Sequence, residues 1–505
     1  MKRNTPSASN AVGPDDWQPR RVQETQLAQL ETWLTAPPPG ESTTDAEIRR
    51  AVLLHALDRG EQAQQAFIAL LRREPTNFSA LNEFGTFLVN TGAIAAACRV
   101  YAEAIAHHPD NPMARINLAN LLLRANSYAE AREHYEAALR LDPEHPQAHQ
   151  GLGAVFADLG DRETARAHFS RGFRGHAIST QPYRGSQAPI ALLELVSSGG
   201  GNIPTSAFLD DRVFLTSVIV ADYLDPASPL PPHHLIFNAI GDADLCQPAL
   251  AAAVKLAAAT PVPVINDPRA VMKTGRIDNA RRLSGIPGVV TARTTAIARA
   301  ALMGPDAAAI LVRHGLHCPL LLRSPGFHTG RNFIRVDTVA DMATAAQNLP
   351  GDELLAIEYL DARGADGSAR KYRVMMIDGQ IHPLHLAISR DWKVHYFTSD
   401  MAARPDHRAE EAAFLANMRA ALGARAVTAL EGIRDALGLD YCGVDFGLDR
   451  NGDVLLFEAN ATMVIASPDS DPRWDYRRVA IDRILEAVTG MIRRRAAGPM
   501  LSRPA

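Results

Sequence analysis

The chain has 505 residues, about three times the usual length of one domain, so two to four compact units are expected. Hydrophobic residues make up 47% and charged residues 21%, which excludes wholesale disorder, and a net charge of −4 excludes the basic footprint of a protein dedicated to nucleic acid. The four cysteines, Cys98, Cys246, Cys318 and Cys442, form no CxxC pair. Neither a zinc ribbon nor a disulfide framework is indicated, and a reducing, cytoplasmic setting is expected. The N-terminus starts basic but has no apolar core segment, and no run of roughly eighteen apolar residues occurs, so neither a standard export signal nor a membrane span is expected.

Residues 1–43 are rich in Pro, Ser, Gly and Asp and end in APPPG at 36–40. Proline rings and missing N–H groups oppose regular structure there, so this region reads as a flexible tail with one short helix at 22–34. From 44 an Ala/Leu-rich helical pattern begins, and Pro75, Pro109 and Pro143 follow one another at intervals of 34 residues. Aligned on that interval, Phe84-Gly85, Leu118-Ala119 and Leu152-Gly153 coincide, as do Ala97, Ala131 and Ala165, and Tyr101, Tyr135 and Phe169. A weaker copy at 44–77 carries Ala63, Phe67 and Pro75.

This pattern resembles the tetratricopeptide repeat. The small residues let two antiparallel helices approach, and the aromatic residues fill the space between hairpins. About four repeats over 44–178, an all-α solenoid, are expected; an unrelated Ala-rich bundle is the competing reading. Asn82, Asn117, Asn120 and Arg124 fall on first helices, where a groove would hold a peptide or protein partner. Ordinary polar faces of exposed helices are the alternative.

After about 180, short apolar runs alternate with helical stretches: IALLELV at 190–196, VFLTSVIVADYL at 213–224, HLIFNAI at 234–240, then a helical segment at 248–260. This reads as α/β structure. A small parallel α/β domain is expected over 188–275 and a larger mixed α/β domain over 276–495, closed by a helix at 475–495.

The strongest chemical signal is YCGVDFGLDRNGDVLLFEANATM, 441–463, a hairpin turning at Asn451-Gly452. Asp445, Glu458 and Asn460 carry side-chain oxygens on its strands, and Glu458 and Asn460, two apart, share a face. Such a set suits hard Mg²⁺ with phosphate oxygens completing the shell; a plain hairpin with surface acids is the competing reading.

D-x12-E-x-N on a hairpin is similar to the metal signature of the ATP-grasp ligases, over about 190–490. The resemblance implies an ATP-grasp fold preceded by the small domain, ATP as the nucleotide and two Mg²⁺ (or Mn²⁺) ions held by Asp445, Glu458 and Asn460, with Glu458 bridging. PLLLRSPGFHTGRNFIRVDT resembles the family's glycine-bearing loop, which would place Gly326 and Gly330 near phosphate oxygens. LLAIEYLDARG resembles the strand entering the adenine hinge, with backbone groups of Glu358, Tyr359 and Leu360 at the adenine edge. KYRVMMIDGQIHPLHLAISR resembles the strand pair in which Arg373 faces the triphosphate and Arg390 the reacting phosphoryl group. Arg276 and Arg323 stand where many members place phosphate-binding lysines, which keeps the charge but changes donor geometry.

His382 and His385, three apart on a strand, are expected on opposite faces and so not as joint metal ligands. SRDWKVHYFTSD, 389–400, either covers an acceptor pocket or is a solvated loop. No G-x-S-x-G elbow and no Walker P-loop is present. The resemblance implies a carboxylate–amine ligase acting through an acyl phosphate on small-molecule or peptide substrates, with the repeats recruiting one of them. Alternatives are a scaffold whose nucleotide-binding half does not turn over, and a small-molecule kinase.

Overall fold

A computed structural model describes residues 19–38, 41–326, 330–396 and 399–497. The described residues fall into two compact units, one within 19–193 with 210–233 and the other within 194–209 with 234–497.

In the first unit, α1 (Pro19–Thr35) precedes four helical hairpins: α2 (Thr44–Ala56) with α3 (Gly60–Arg73), α4 (Phe78–Asn90) with α5 (Ile94–His107), α6 (Pro112–Arg124) with α7 (Tyr128–Leu141), and α8 (Pro146–Leu159) with α9 (Arg162–Gly172). Asn77 and Asn111 cap α4 and α6 by accepting the N–H of Ala80 and Met113, each at 3.0 Å. The aromatic plugs sit where the repeat pattern puts them: Tyr101, Tyr135 and Phe169 are buried. A Cβ on Gly85 would overlap the Tyr101 ring, and one on Gly153 the Phe169 ring. Glycine is required at both positions by close approach rather than by backbone angle.

The region read as a flexible tail is not one throughout. α1 buries Leu27 against Leu53, Leu54 and Leu57, and Arg20 pairs with Asp58 at 3.1 Å. Amphipathic burial outweighs the breaker-rich composition around it. Residues 1–18 of that tail lie outside the described residues.

The first unit continues through β1 (Ile178–Thr180) into β2 (Ile190–Val196), within which the boundary between units falls, and takes in β3 (Phe214–Val220), antiparallel to β1. Tyr223 packs on Phe169 and Phe173, with ring centroids 6.2 and 5.6 Å away, and Asp58 receives Arg212 at 2.7 Å and Arg184 at 3.5 Å. These contacts join residues 182–193 and 210–223 to the repeats.

The second unit contains β4 (Leu235–Asn238), α10 (Gln247–Ala258), β5 (Val264–Ile265), parallel to β4, then α11 (Pro268–Val271) and α12 (Arg276–Leu283). Next come β6 (Val289–Thr291), β7 (Thr294–Ala298), α13 (Arg299–Met303), α14 (Ala307–Arg313), β8 (Leu320–Arg323), β9 (Phe333–Val336), α15 (Met342–Gln347) and β10 (Glu353–Glu358). They lead to β11 (Ala369–Ile377), β12 (Gln380–Ser389), α16 (Pro405–Ala416), α17 (Met418–Leu437), β13 (Tyr441–Leu448), β14 (Val454–Asn460) and α18 (Arg478–Arg495).

Two sheets dominate, one ordered β7-β10-β8-β9 and the other β12-β11-β13-β14-β6. Pairing is antiparallel within both except where β6 runs parallel to β14. Leu302, Leu311, Leu320, Leu322 and Leu354 form the apolar core behind the first sheet. A mixed α/β region thus follows the helical one, as expected.

Candidate functional site

Register builds the site. Arg373 on β11 stands opposite His385 on β12 and Asp445 on β13, and Asp445 stands opposite Glu458 on β14. Partners in an antiparallel ladder share a face, so His385, Arg373, Asp445 and Glu458 form one row across four strands. Met375, Gly443 and Asn460 form the next row by the same rule. The expected trio of Asp445, Glu458 and Asn460 therefore does come together on one face.

The charges in the row are paired. Arg373 donates to both oxygens of Asp445, Nε at 2.5 Å and Nη2 at 2.8 Å, and Lys371 Nζ lies 3.2 Å from Asp445 Oδ2. Glu458 Oε1 accepts from Arg276 at 3.0 Å and from Asn460 Nδ2 at 2.9 Å. Burial by itself would raise the Asp445 carboxyl; Arg373 and Lys371 more than reverse this and hold it well below the usual carboxylate range. Burial and the Arg373 charge keep His385 neutral, far below its ordinary value. For Arg276, burial acts downward, but Glu458, Asp242 and Asp244 raise the guanidinium overall.

Asp445, Glu458, Asn460, Lys371 and Arg276 border a cleft of about 260 Å³ in the second unit. Both sheets line it: Leu321, Arg323, Ile357 and Glu358 from the first, Lys371, Asp445, Leu456, Glu458 and Asn460 from the second. Of the expected residues, Arg276, Arg323, Gly330, Glu358, Tyr359, Leu360, Asp445, Glu458 and Asn460 border it. Arg373 reaches it through Asp445. Gly326, in the left-handed region at φ 84°, is not on the lining. Arg390 is not brought in: it follows the last residue of β12, is exposed, and its N–H donates to Asp400 at 3.4 Å.

Three features escape the sequence reading. Lys371, Asp242 and Asp244 line the cleft, and Asp244 holds Arg276 at 3.2 Å. No motif marks them. His382 and His385 do not face opposite ways as alternation predicts, because β12 skips Leu384 at a bulge opposite Arg373/Val374. His382 then faces Met375, and His385 faces Arg373, on one side. Their Nε2 atoms are buried without a hydrogen-bond partner.

Two acids and one amide, all hard oxygen donors on one face, are chemically suited to Mg²⁺. An ion there would take oxygens now held by Arg276, Lys371 and Arg373. Among the described residues no group of three His, Cys, Asp or Glu side chains is set to hold a metal, so the amide and bound phosphate would have to complete the shell.

In the repeats, Asn117 Nδ2 donates to Asn82 Oδ1 at 2.9 Å, and Asn120 accepts the Tyr135 hydroxyl at 2.5 Å. Two of the four residues expected to meet a peptide thus hold each other, and a third secures a plug. Among the described residues no helix is long and apolar enough to cross a membrane.

Residues 88–133 and 116–174 each match a tetratricopeptide repeat model. Among solved structures, MamA (41-end) from Desulfovibrio magneticus RS-1 is 23% identical, with 31% of this chain and 86% of that one covered and a TM-score of 0.27. Another MamA structure is 17% identical, covering 32% and 95%, with a TM-score of 0.26. YrrB, described as a TPR protein with an unusual peptide-binding site, is 20% identical, covering 30% and 77%, with a TM-score of 0.25. No curated protein matches the chain. The helical hairpins over 88–174 are tetratricopeptide repeats, a module suited to protein interaction.

Proposed function

We propose that the second unit is an ATP-dependent carboxylate–amine ligase of the ATP-grasp type, and that the repeats recruit its peptide or protein substrate. The observation that carries this reading is the convergence on one cleft of the Asp445–Glu458–Asn460 face, the arginines 276 and 323, and the strand end Glu358–Leu360.

In this reading the Glu358–Leu360 backbone meets the adenine edge, and Arg276 and Arg323 clasp phosphate oxygens. Arg373 fixes Asp445 by its two-pronged contact and so orients the ion-binding face. Asp445, Glu458 and Asn460 would hold Mg²⁺, which when bound offsets negative charge on the phosphoryl oxygens. The carboxylate substrate attacks the γ-phosphorus and ADP leaves; an amine then attacks the acyl carbon, phosphate departs, and the amine loses a proton. The chain supplies orientation and charge and no nucleophile of its own.

Calorimetry of ATP binding with Mg²⁺ and with EDTA tests the reading. Binding that requires the ion, together with ADP release on adding substrates, supports it; equal affinity in EDTA sinks the ion site. Metal-dependent binding without ADP release, with a partner captured through residues 44–175, favours the scaffold. ADP release with a hydroxyl acceptor alone favours the kinase.

A further inference from the structure

The segment Arg390–Tyr396 crosses one side of the cleft. Its far end is anchored: Tyr396 is buried, its hydroxyl donates to Glu411 at 2.9 Å, and Arg477 stacks over its ring at 4.2 Å. Glu411 is 0% exposed and also takes the Tyr476 hydroxyl and the Leu386 N–H. The middle of the segment reaches the other sheet. Trp392 meets Phe333 edge-on at 5.5 Å, and Lys393 Nζ donates to the carbonyls of Gly330 and Phe333. Trp392, Lys393, Val394 and His395 all line the cleft. This is a built wall with two attachments, and the reaction as described above gives it no task.

The charge on this side is unbalanced. Lys371, Arg373 and Lys393 gather around His395, with Asp445 as the opposing carboxylate, and after burial it is Lys371 and Arg373 that most depress the imidazole. Lys393 spends its ammonium on two carbonyls, which are weaker partners than an anion. Asp445, which neutralises the other two, is the oxygen pair a metal would take. A ligand that brought only one carboxylate, itself the reacting group, would leave this excess largely unanswered.

Resting on the ligase reading, we propose that the wall Trp392–His395 and Lys371 form the carboxylate-substrate subsite and select an acid with a second anionic group. A dicarboxylate, or a peptide ending in an acidic residue, fits. One carboxylate reacts at the phosphoryl end, and the other is held by Lys371 and Lys393 while Trp392 covers the carbon chain between them.

The test uses the full chain and two acids of equal carbon number and opposite prediction, glutarate and pentanoate. Their binding is measured by calorimetry with Mg²⁺ and without nucleotide, and the same acids are then given with Mg²⁺, ATP and hydroxylamine, which converts an acyl phosphate to a hydroxamate. Glutarate should bind at least about tenfold more tightly than pentanoate, and Lys393→Met, an exposed position, should abolish most of the difference. Lys371→Met should do the same. Equal binding of the two acids, or a preference untouched by Lys393→Met and Lys371→Met, overturns the proposal. Equal hydroxamate yields also overturn it while leaving the ligase reading standing. Selective glutarate binding with no hydroxamate from either acid overturns the ligase reading and leaves the subsite standing.

Discussion

The carboxamide of Asn266 holds both backbone groups of Tyr441: Nδ2 donates to its carbonyl and Oδ1 accepts its N–H, each at 2.8 Å. Asn266 is fully buried, lies in the left-handed region at φ 57°, and donates its own N–H to Asp440 at 2.9 Å. Tyr441 opens the strand that carries Asp445, so this clamp sets where that strand begins. Asn266→Ala strands two buried backbone groups and should lower stability by about 2–4 kcal/mol. Denaturant titration of the second unit's transition measures it; a loss near zero would mean that water replaces the clamp.

The repeats make a packing prediction. Gly153→Ala drives a methyl group into the Phe169 ring and should cost about 1–3 kcal/mol. Combining it with Phe169→Leu, which vacates the ring edge, should recover part of the loss. A double-mutant cycle by thermal melting reads the coupling, and strict additivity would place the two residues out of contact.

Acidification should loosen the last repeat. His149 Nε2 lies 3.0 Å from the carbonyl of Pro143, so it carries the proton, and Nδ1 then accepts from His168 Nδ1 at 2.9 Å. Burial, and next His149, depress the His168 value below its ordinary 6.5. The unfolded chain therefore takes up a proton first as pH falls. Stability of the first unit should be level above about pH 7 and decline below about 6.5. His55 and His134, depressed mainly by burial, add the same sign. Circular-dichroism melts from pH 8 to 5 should show the slope, and His168→Gln should flatten part of it.

Substitutions separate the two arginines expected to act on the phosphoryl groups. Arg373→Lys loses the fork on Asp445 and should cut ADP release by about a hundredfold, as should Glu458→Gln. Arg390→Lys, exposed beyond the end of β12, should stay within about twofold, the range of surface changes. A large loss in Arg390→Lys would place that side chain in the cleft during turnover.

Much of this was legible because it is periodic or local. The 34-residue interval announces the helix pairs, since stacking fixes which positions must be small or aromatic. The spacing of Asp445, Glu458 and Asn460 announces a hairpin face, because alternation is a property of any strand. What stayed hidden depends on distant partners. The polar stretch before 44 conceals that Leu27 has a core to enter. Asp58 gives no sign that Arg184 and Arg212 will close on it and draw 182–193 and 210–223 into the repeat unit. Lys371 reads as any strand lysine until Asp445 is set beside it. Leu384 carries no mark of a bulge, and with it alternation ceased to report which face a histidine takes.

That bulge has a counterpart. β13 and β14 slip at Asp445/Phe446, where Phe457 is the extra residue, one strand pair away from the slip at Arg373/Val374. Each bulge bends its strand and adds twist, so the sheet is creased along the line of charged side chains, from the edge strand β12 inward. The separation between the His385 end and the Glu458 end is then governed by the depth of that crease. Cleft geometry becomes adjustable from outside the cleft: a change of residue size at Leu384 would move the charged side chains of the row relative to one another while every one of them stays in place in the sequence.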